Sequence, residues 1–297
     1  MIVHKISDNE LLEELKRRFE ENKKVVHDLQ ILTKKLEKMN AKLIESESMK
    51  SNFISNIKNE LNNPITSVLI MAQELATNVE NLKPQIISSM SENLYLELLT
   101  IDFNLRNIFI AAEIESGEIK LDITKVNLNQ FINNILLELS YPLKRKNIVI
   151  EKGWIGRDLT NEEVYFKTDS EKLKLVLTNI LWNSIEYSQK NSRIVFNLSF
   201  IDNVFNFWIK DFGFQMSTDD LDTIFGEFKH ISVDLTKKDR GKSLSLNVSK
   251  ALIELLNGSI TVKTNEDNIG CTFTIMVPES QIEIEEVVSE DGNEFFF

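Results

Sequence analysis

Two groups of side chains in this 297-residue chain have types and spacing that could do chemistry. Asn179 and Asn183 lie four residues apart in Leu177–Ser188, LTNILWNSIEYS. On a helix their amide oxygens share one face, where they can meet a divalent cation and phosphate oxygens. Downstream, Asp211 offers a carboxylate that accepts hydrogen bonds, and Gly213 lets the backbone come close to a ligand. The second group lies in Lys50–Ile65, KSNFISNIKNELNNPI. Glu60 and Asn63, three apart and followed by Pro64, put a carboxylate and an amide on one helix face. Their neighbour Asn59 is no nucleophile, because its amide nitrogen lone pair is delocalised into the carbonyl. Each group also has a plainer reading. Asn179 and Asn183 could be ordinary helix-surface residues, Asp211 a turn residue, and Glu60 with Asn63 a solvated helix face.

The elements that must position these residues divide the chain in four. Segment 1–46 repeats apolar residues at alternating steps of four and three, Val25, Leu29, Leu32, Leu36, Met39 and Leu43. That is the 3.5-residue period of a coiled-coil seam, and it predicts a parallel homodimer. Segment 47–117 continues with Phe53, Ile57, Leu61, Pro64, Val68, Met71 and Leu75, breaks around Asn81 to Pro84, and resumes with Leu94, Leu98, Ile101, Leu105, Ile108 and Ala112. Two such helices form a hairpin, and dimerisation into a four-helix bundle would bury both stripes. Pro64 should bend the first of them locally.

Segment 118–278 is mixed α and β. It reads as a helix near 128–145, strands at 147–151 and 164–167, a helix over 170–188, and a hairpin of 193–200 with 204–210 around Asp202-Asn203. A helix near 249–256 then stops at Asn257-Gly258, and strands at 259–264 and 271–277 close an α/β sandwich. Segment 279–297 is an acidic tail without a basic residue, ending in Phe295, Phe296 and Phe297, and is expected to be mostly mobile.

Composition narrows the function. A formal net charge of −12 argues against nucleic acid, whose binders depend on clustered Lys and Arg. Cys271 is the single cysteine and cannot form an internal disulfide. No run approaches the roughly 18 apolar residues of a membrane helix, and the first residues do not resemble a signal peptide, so no membrane insertion and a cytoplasmic location are expected.

In order and spacing, these segments resemble the core of a sensor histidine kinase over residues 47–278. Lys50–Ile65 is similar to the phospho-acceptor helix, Leu177–Ser188 to the N-box, Asp211-Phe-Gly to the first glycine box, Ile224–Phe228, IFGEF, to the phenylalanine box, and Gly241–Leu246, GKSLSL, to the second glycine box, with Gly270–Phe273 where GxTF usually lies. The resemblance implies an N-terminal coiled coil, a dimeric four-helix bundle and a Bergerat-type ATP-binding sandwich. By the same resemblance Asn179, Asn183, Asp211, Gly213 and Gly241 would contact ATP, Asn183 would be the Mg²⁺ ligand, and Asp211 would accept from the adenine amine.

The departures are specific. Asn59 stands at the phospho-acceptor position, so autophosphorylation there is chemically excluded. His27 and His230 read as surface residues. Gln215, Ser243 and Ser245 stand where the glycine boxes have glycine, and Glu186 replaces a common Lys or Arg. Nucleotide binding is therefore expected to be weak or absent, with no cofactor required. Because the losses are scattered, the Asn59 change resembles natural decay. The leading expectation is a pseudokinase that binds a response regulator receiver domain or a partner histidine kinase. The alternatives are a response-regulator phosphatase using Glu60 and Asn63, and a residual kinase or ATPase acting in trans.

Overall fold

The computed structural model describes residues 8–156, 163–213, 225, 242–267 and 269–282. The chain divides into two compact units, residues 1–55 and 56–297, which are described one at a time.

The first unit contains the beginning of helix α1, Asp8–Asn78. Its seam positions Val25, Leu29, Leu32, Leu36, Met39 and Leu43 are all more than half exposed on the single chain. An apolar stripe on one helix has nothing in its own strand to cover it. Around the stripe the surface is charged. Arg17 pairs with Glu14 and Glu21, and Arg18 with Glu14, at helical spacings of three and four. The hydrogen bonds from Arg17 and Arg18 lower the Glu14 carboxyl to about 2.

In the second unit α1 presents Ile57, Leu61, Val68, Met71 and Leu75 half-buried and Pro64 buried, while Asn63 and Leu69 are exposed. The predicted break falls at a 3₁₀ turn, Val79–Asn81, and helix α2, Pro84–Ser116, follows. Pro84 suits the first turn, where its missing N–H costs nothing, and Gly117 ends the helix in the left-handed region with φ 70°. The deepest face of α2 is not the predicted one. Leu96, Phe103, Asn107 and Ala111 are buried, whereas Leu98 remains 46% exposed. The helix therefore has two apolar stripes, one packed inside this chain and one left at the surface.

Beyond it lies the sandwich. Strands β1, Thr124–Asn127, and β3, Tyr165–Thr168, make an antiparallel pair, one residue displaced from the expected strand. The main sheet has the order β2-β4-β5-β7-β6, with β2 Val149–Trp154, β4 Arg193–Ile201, β5 Val204–Lys210, β6 Ser259–Thr264 and β7 Cys271–Pro278. β2 and β4 are parallel and the other neighbours antiparallel. The β4–β5 hairpin turns at Asp202 and Asn203, both at positive φ, as a tight two-residue connection demands. One sheet face is apolar and closed: Ile194, Phe196, Leu198, Phe205, Phe207, Ile209, Phe273, Ile275 and Val277 are buried, with Phe205 and Phe207 rings 4.1 Å apart. The helical layer contains α3, Leu128–Glu138, α5, Ser170–Tyr187, and α6, Lys242–Leu255.

Two helix boundaries differ from expectation. The helix expected over 128–145 is two, because the chain breaks at Leu139 before α4, Ser140–Lys146, and Pro142 sits in the first turn of α4, where its lost donor is tolerated. The last helix starts at Lys242, seven residues before the expected Ser249, and places Ser243 and Ser245 on a helix. The left-handed stop is Asn257, with φ 58°. The first residues of the acidic tail are held: Glu279 N donates to Asn203 O at 2.7 Å and Ser280 N to Lys167 O at 2.9 Å. The rest of the expected tail, from 283, lies outside the described residues.

Phe207→Ala removes a ring with no exposed surface from the sheet's closed face and is expected to lower unfolding free energy by about 3–5 kcal/mol. Urea denaturation followed by circular dichroism will measure it.

Candidate functional site

Helix α5 carries the first group of candidate residues, and its start is strongly fixed. Asp169 caps it, accepting from Lys172 N at 3.0 Å, from Lys172 Nζ at 2.7 Å and from the backbone N of Asp122 at 2.8 Å. From that start the helix directs Asn179 and Asn183 inward, at 0% and 5% exposure. Neither is a surface residue. Asn179 exchanges two hydrogen bonds with Asn107 of α2: Asn107 Nδ2 donates to Asn179 Oδ1 at 2.9 Å, and Asn179 Nδ2 donates to Asn107 Oδ1 at 2.7 Å. Asn179 Nδ2 also lies 3.0 Å from both Ser245 O and Ser249 Oγ of α6. Asn183 Nδ2 donates to Asn179 O at 2.9 Å and to Ser245 Oγ at 3.2 Å. The expected ligand-binding amides thus join three helices.

Asp211 lies at the end of β5, 4% exposed. Its Oδ1 accepts from Gly213 N at 3.1 Å and Cys271 N at 3.2 Å, and Ser184 Oγ of α5 lies 3.4 Å from Oδ2. Asn265 Nδ2 donates to Asp211 O at 2.8 Å, tying the β6–β7 turn to the same point. Burial raises the Asp211 carboxyl above its ordinary value, against the backbone bonds from Gly213 and Cys271, which lower it. Gly213 is required by packing, since a Cβ there would sit 2.6 Å from the Tyr187 carbonyl oxygen. This carboxylate and its glycine can receive the amine edge of a planar base.

The phosphate side differs. Glu186 is exposed. Lys146, the nearby cation, donates from Nζ to the carbonyls of Ile185, Glu186 and Ser188, at 2.9 Å and 3.2 Å for the first and last. It caps the end of α5, and burial lowers its ammonium below the usual lysine value. All three of its N–H bonds are therefore committed to the helix. Ser245 is buried in α6, 4% exposed, in a helical turn that offers no phosphate-cradling loop. Gly241 and Gln215 lie outside the described residues, as does His230. On α1, Asn63 is exposed; the side chains of Asn59 and Glu60 lie outside the described residues. Among the described residues no cluster of three or more His, Cys, Asp or Glu could hold a metal ion.

Sequence reasoning missed Asn107, Ser184, Ser249, Asn265 and Lys146. One signal was available for Asn107, a polar residue between Phe103 and Ala111 on a second helical stripe of α2. The others become visible only when 27 to 70 residues of chain are folded over.

Residues 168–281 match the model of the histidine kinase-, DNA gyrase B- and HSP90-like ATPase family. This stretch is similar to that ATPase family. The chain is 27% identical over 237 residues to the sensor protein kinase WalK of Staphylococcus haemolyticus, a match that covers 78% of this chain and 37% of that protein. A WalK of Staphylococcus aureus is 26% identical over 242 residues, covering 80% and 55%. The chain thus spans about 37–55% of the length of these curated relatives. In fold it is similar to the histidine kinase AdeS of Acinetobacter baumannii, with TM-score 0.51, 19% identity, and coverage of 74% of this chain and 97% of that one. It is also similar to the histidine kinase ThkA, whose structure is a complex with the response regulator protein TrrA, with TM-score 0.51, 20% identity, and coverage of 80% and 64%. These likenesses show an α/β sandwich of the type found in histidine kinase catalytic domains. Among the described residues no helix is long and apolar enough to cross a membrane.

Asp211 and Gly213 thus stand together at the end of β5, while Lys146 is engaged by the terminus of α5 and Ser245 lies on a helix.

A buried carboxyl with a raised value binds its proton more tightly folded than unfolded, so Asp211 contributes stability that is present below its unfolded value and lost as pH rises through its folded value. Asp211→Asn is expected to remove that component, so that the wild type loses stability relative to the variant across this window. Thermal melts of both proteins over an acidic-to-neutral series will show the convergence on acidification.

Proposed function

We propose that this chain is a catalytically degenerate histidine kinase-like protein of a two-component system, one that acts by binding a response regulator receiver domain or a partner histidine kinase. The observation that carries the reading is Asn59, an amide at the phospho-acceptor position of a chain with a histidine kinase-family ATPase domain. An amide nitrogen does not accept a phosphoryl group as an imidazole does. The polyphosphate end supports it, because Glu186, Lys146 and Ser245 offer no free cation or flexible glycine to a nucleotide. ATP and Mg²⁺ would bind weakly if at all, through Asp211, Gly213 and Asn183. With phosphoryl transfer gone, mutual exclusion between the ATPase domain and a docked partner at the helical hairpin is the remaining route to regulation. The response regulator in complex with ThkA supports this class of partner.

A second reading has one specific support. Asn63 is exposed on α1 beside buried Pro64. With Glu60 it would position a water for hydrolysis of a phosphorylated regulator, chemistry that needs no histidine.

Incubation with labelled ATP and Mg²⁺ is expected to leave no acid-labile phosphate on the chain, and Asn59→His alone is expected not to restore it, because the polyphosphate end is unchanged. Label at His27 or His230, or full activity in Asn59→His, would overturn the reading. Turnover of a phosphorylated receiver domain, lost in Asn63→Ala, would select the phosphatase.

The same proposal makes the chain a homodimer through the seam at 25–43. Leu36→Glu places an unpaired charge in that seam and is expected to weaken dimerisation by several kcal/mol, about 2–4. Sedimentation at low concentration will register the shift toward monomer.

A further inference from the structure

The contact between α2 and the ATPase domain is built from an uncommon material. Its centre is the reciprocal amide pair of Asn107 and Asn179, with exposures of 1% and 0%. Apolar side chains would pack such a contact at lower risk, because a buried amide that loses its partner is costly. A polar pair in this place fixes one register and one docked position.

The hydrogen-bond geometry goes further, because each side keeps partners of its own. Asn179 Nδ2 has two hydrogens and three acceptors within reach: Asn107 Oδ1 at 2.7 Å, Ser245 O at 3.0 Å and Ser249 Oγ at 3.0 Å. If Asn107 withdraws, Ser245 O and Ser249 Oγ still take both hydrogens. Asn107 Nδ2 likewise keeps Phe103 O of its own helix at 3.0 Å. The surrounding contacts are of a kind that can part. Phe103 stacks on Trp182 with centroids 4.9 Å apart and planes 15° from parallel. Further along α2, Tyr95 meets Tyr141 edge-on at 4.9 Å and Asn93 Oδ1 accepts from Arg145 at 2.7 Å, near the surface. A groove of about 610 Å³ runs beside Phe103 and Trp182, so their junction is flanked by open space on one side.

We infer that Asn107 and Asn179 form a latch. Closed, the paired amides hold α2 against α5 and α6; open, α2 leaves, the amides keep their intrahelical and α6 partners, and the faces of Phe103 and Trp182 are released. This device stands independently of the proposed function, since it needs neither nucleotide nor phosphoryl transfer.

Hydrogen exchange of the full chain, read by mass spectrometry on peptides from α2, α6 and the sheet, tests it. Asn107→Leu and Asn179→Leu each leave one amide without its partner in the closed state. Each is expected to raise exchange in 96–111 and 242–255 by about tenfold, within the roughly 5- to 150-fold range of a stranded buried amide, while β4, β5 and β7 are unchanged. The double variant replaces both amides with apolar groups and is expected to return to within about threefold of wild type. If Asn107→Leu does not fold, Asn107→Ser carries the same expectation at smaller amplitude. Exchange rising equally in the sheet would reduce the pair to ordinary core packing and overturn the latch. So would unchanged exchange in both single variants, or a double variant whose effect is the product of the singles.

Discussion

A single fully buried amide, Asn179, is the constraint on which the arrangement of helices in the second unit depends. Buried amides are tolerated only when their donors and acceptors are met, so whatever surrounds Asn179 must present complementary groups in fixed places. Asn107 supplies the reciprocal pair from α2, while Ser245 and Ser249 supply a carbonyl and a hydroxyl from α6. Three segments separated by more than sixty residues of chain are thereby brought to one point. An aliphatic residue at 179 would allow α2 and α6 to slide; the amide does not. The Phe103–Trp182 stack adds area without adding direction.

A second centre, Asp211, orders the contact of α5 with the end of the sheet. Its carboxylate accepts from the backbone on either side, at Gly213 and Cys271, and its carbonyl accepts from Asn265. Keeping a carboxylate at 4% exposure works against solvation, and this is why its proton affinity rises. The two centres meet through α5, since Ser184, which faces Asp211, follows Asn183 directly. Between them they fix how α5 sits against the end of the sheet.

Much of this was legible from sequence, for physical reasons that differ by element. The β4–β5 hairpin was marked by alternation and by Asp202-Asn203, a pair that tolerates the left-handed region. The α2 start and stop were marked by Pro84 and Gly117. The break at Leu139 was hidden because apolar periodicity runs through it, and the early start of α6 because Ser243 and Ser245 are poor helix formers read against an expectation of loop. Asn179 and Asn183 were found by spacing, but spacing alone does not say whether an amide faces a ligand or another helix. Asn107 supplies that answer, and nothing near it in sequence announces a partner 72 residues away.

It follows that residues which match a family pattern differ in what they say about chemistry. Asn179 and Asp211 each have a packing role complete within the protein, and Gly213 is excluded from bearing a side chain by the Tyr187 carbonyl. Replacing any of them would disturb the fold before it disturbed a ligand, so their presence carries little weight for nucleotide turnover. The residues that depart from the kinase pattern in sequence are Gln215, Ser243, Ser245 and Glu186. Of these, Ser245 has been drawn into the helix packing, where its carbonyl and hydroxyl hold Asn179 and Asn183. A glycine at that point would still offer the carbonyl but would remove the hydroxyl that restrains Asn183 and would weaken the helix. The serine therefore stabilises a helical, packed state of this segment, in which its backbone and its side chain each hold one of the two buried amides.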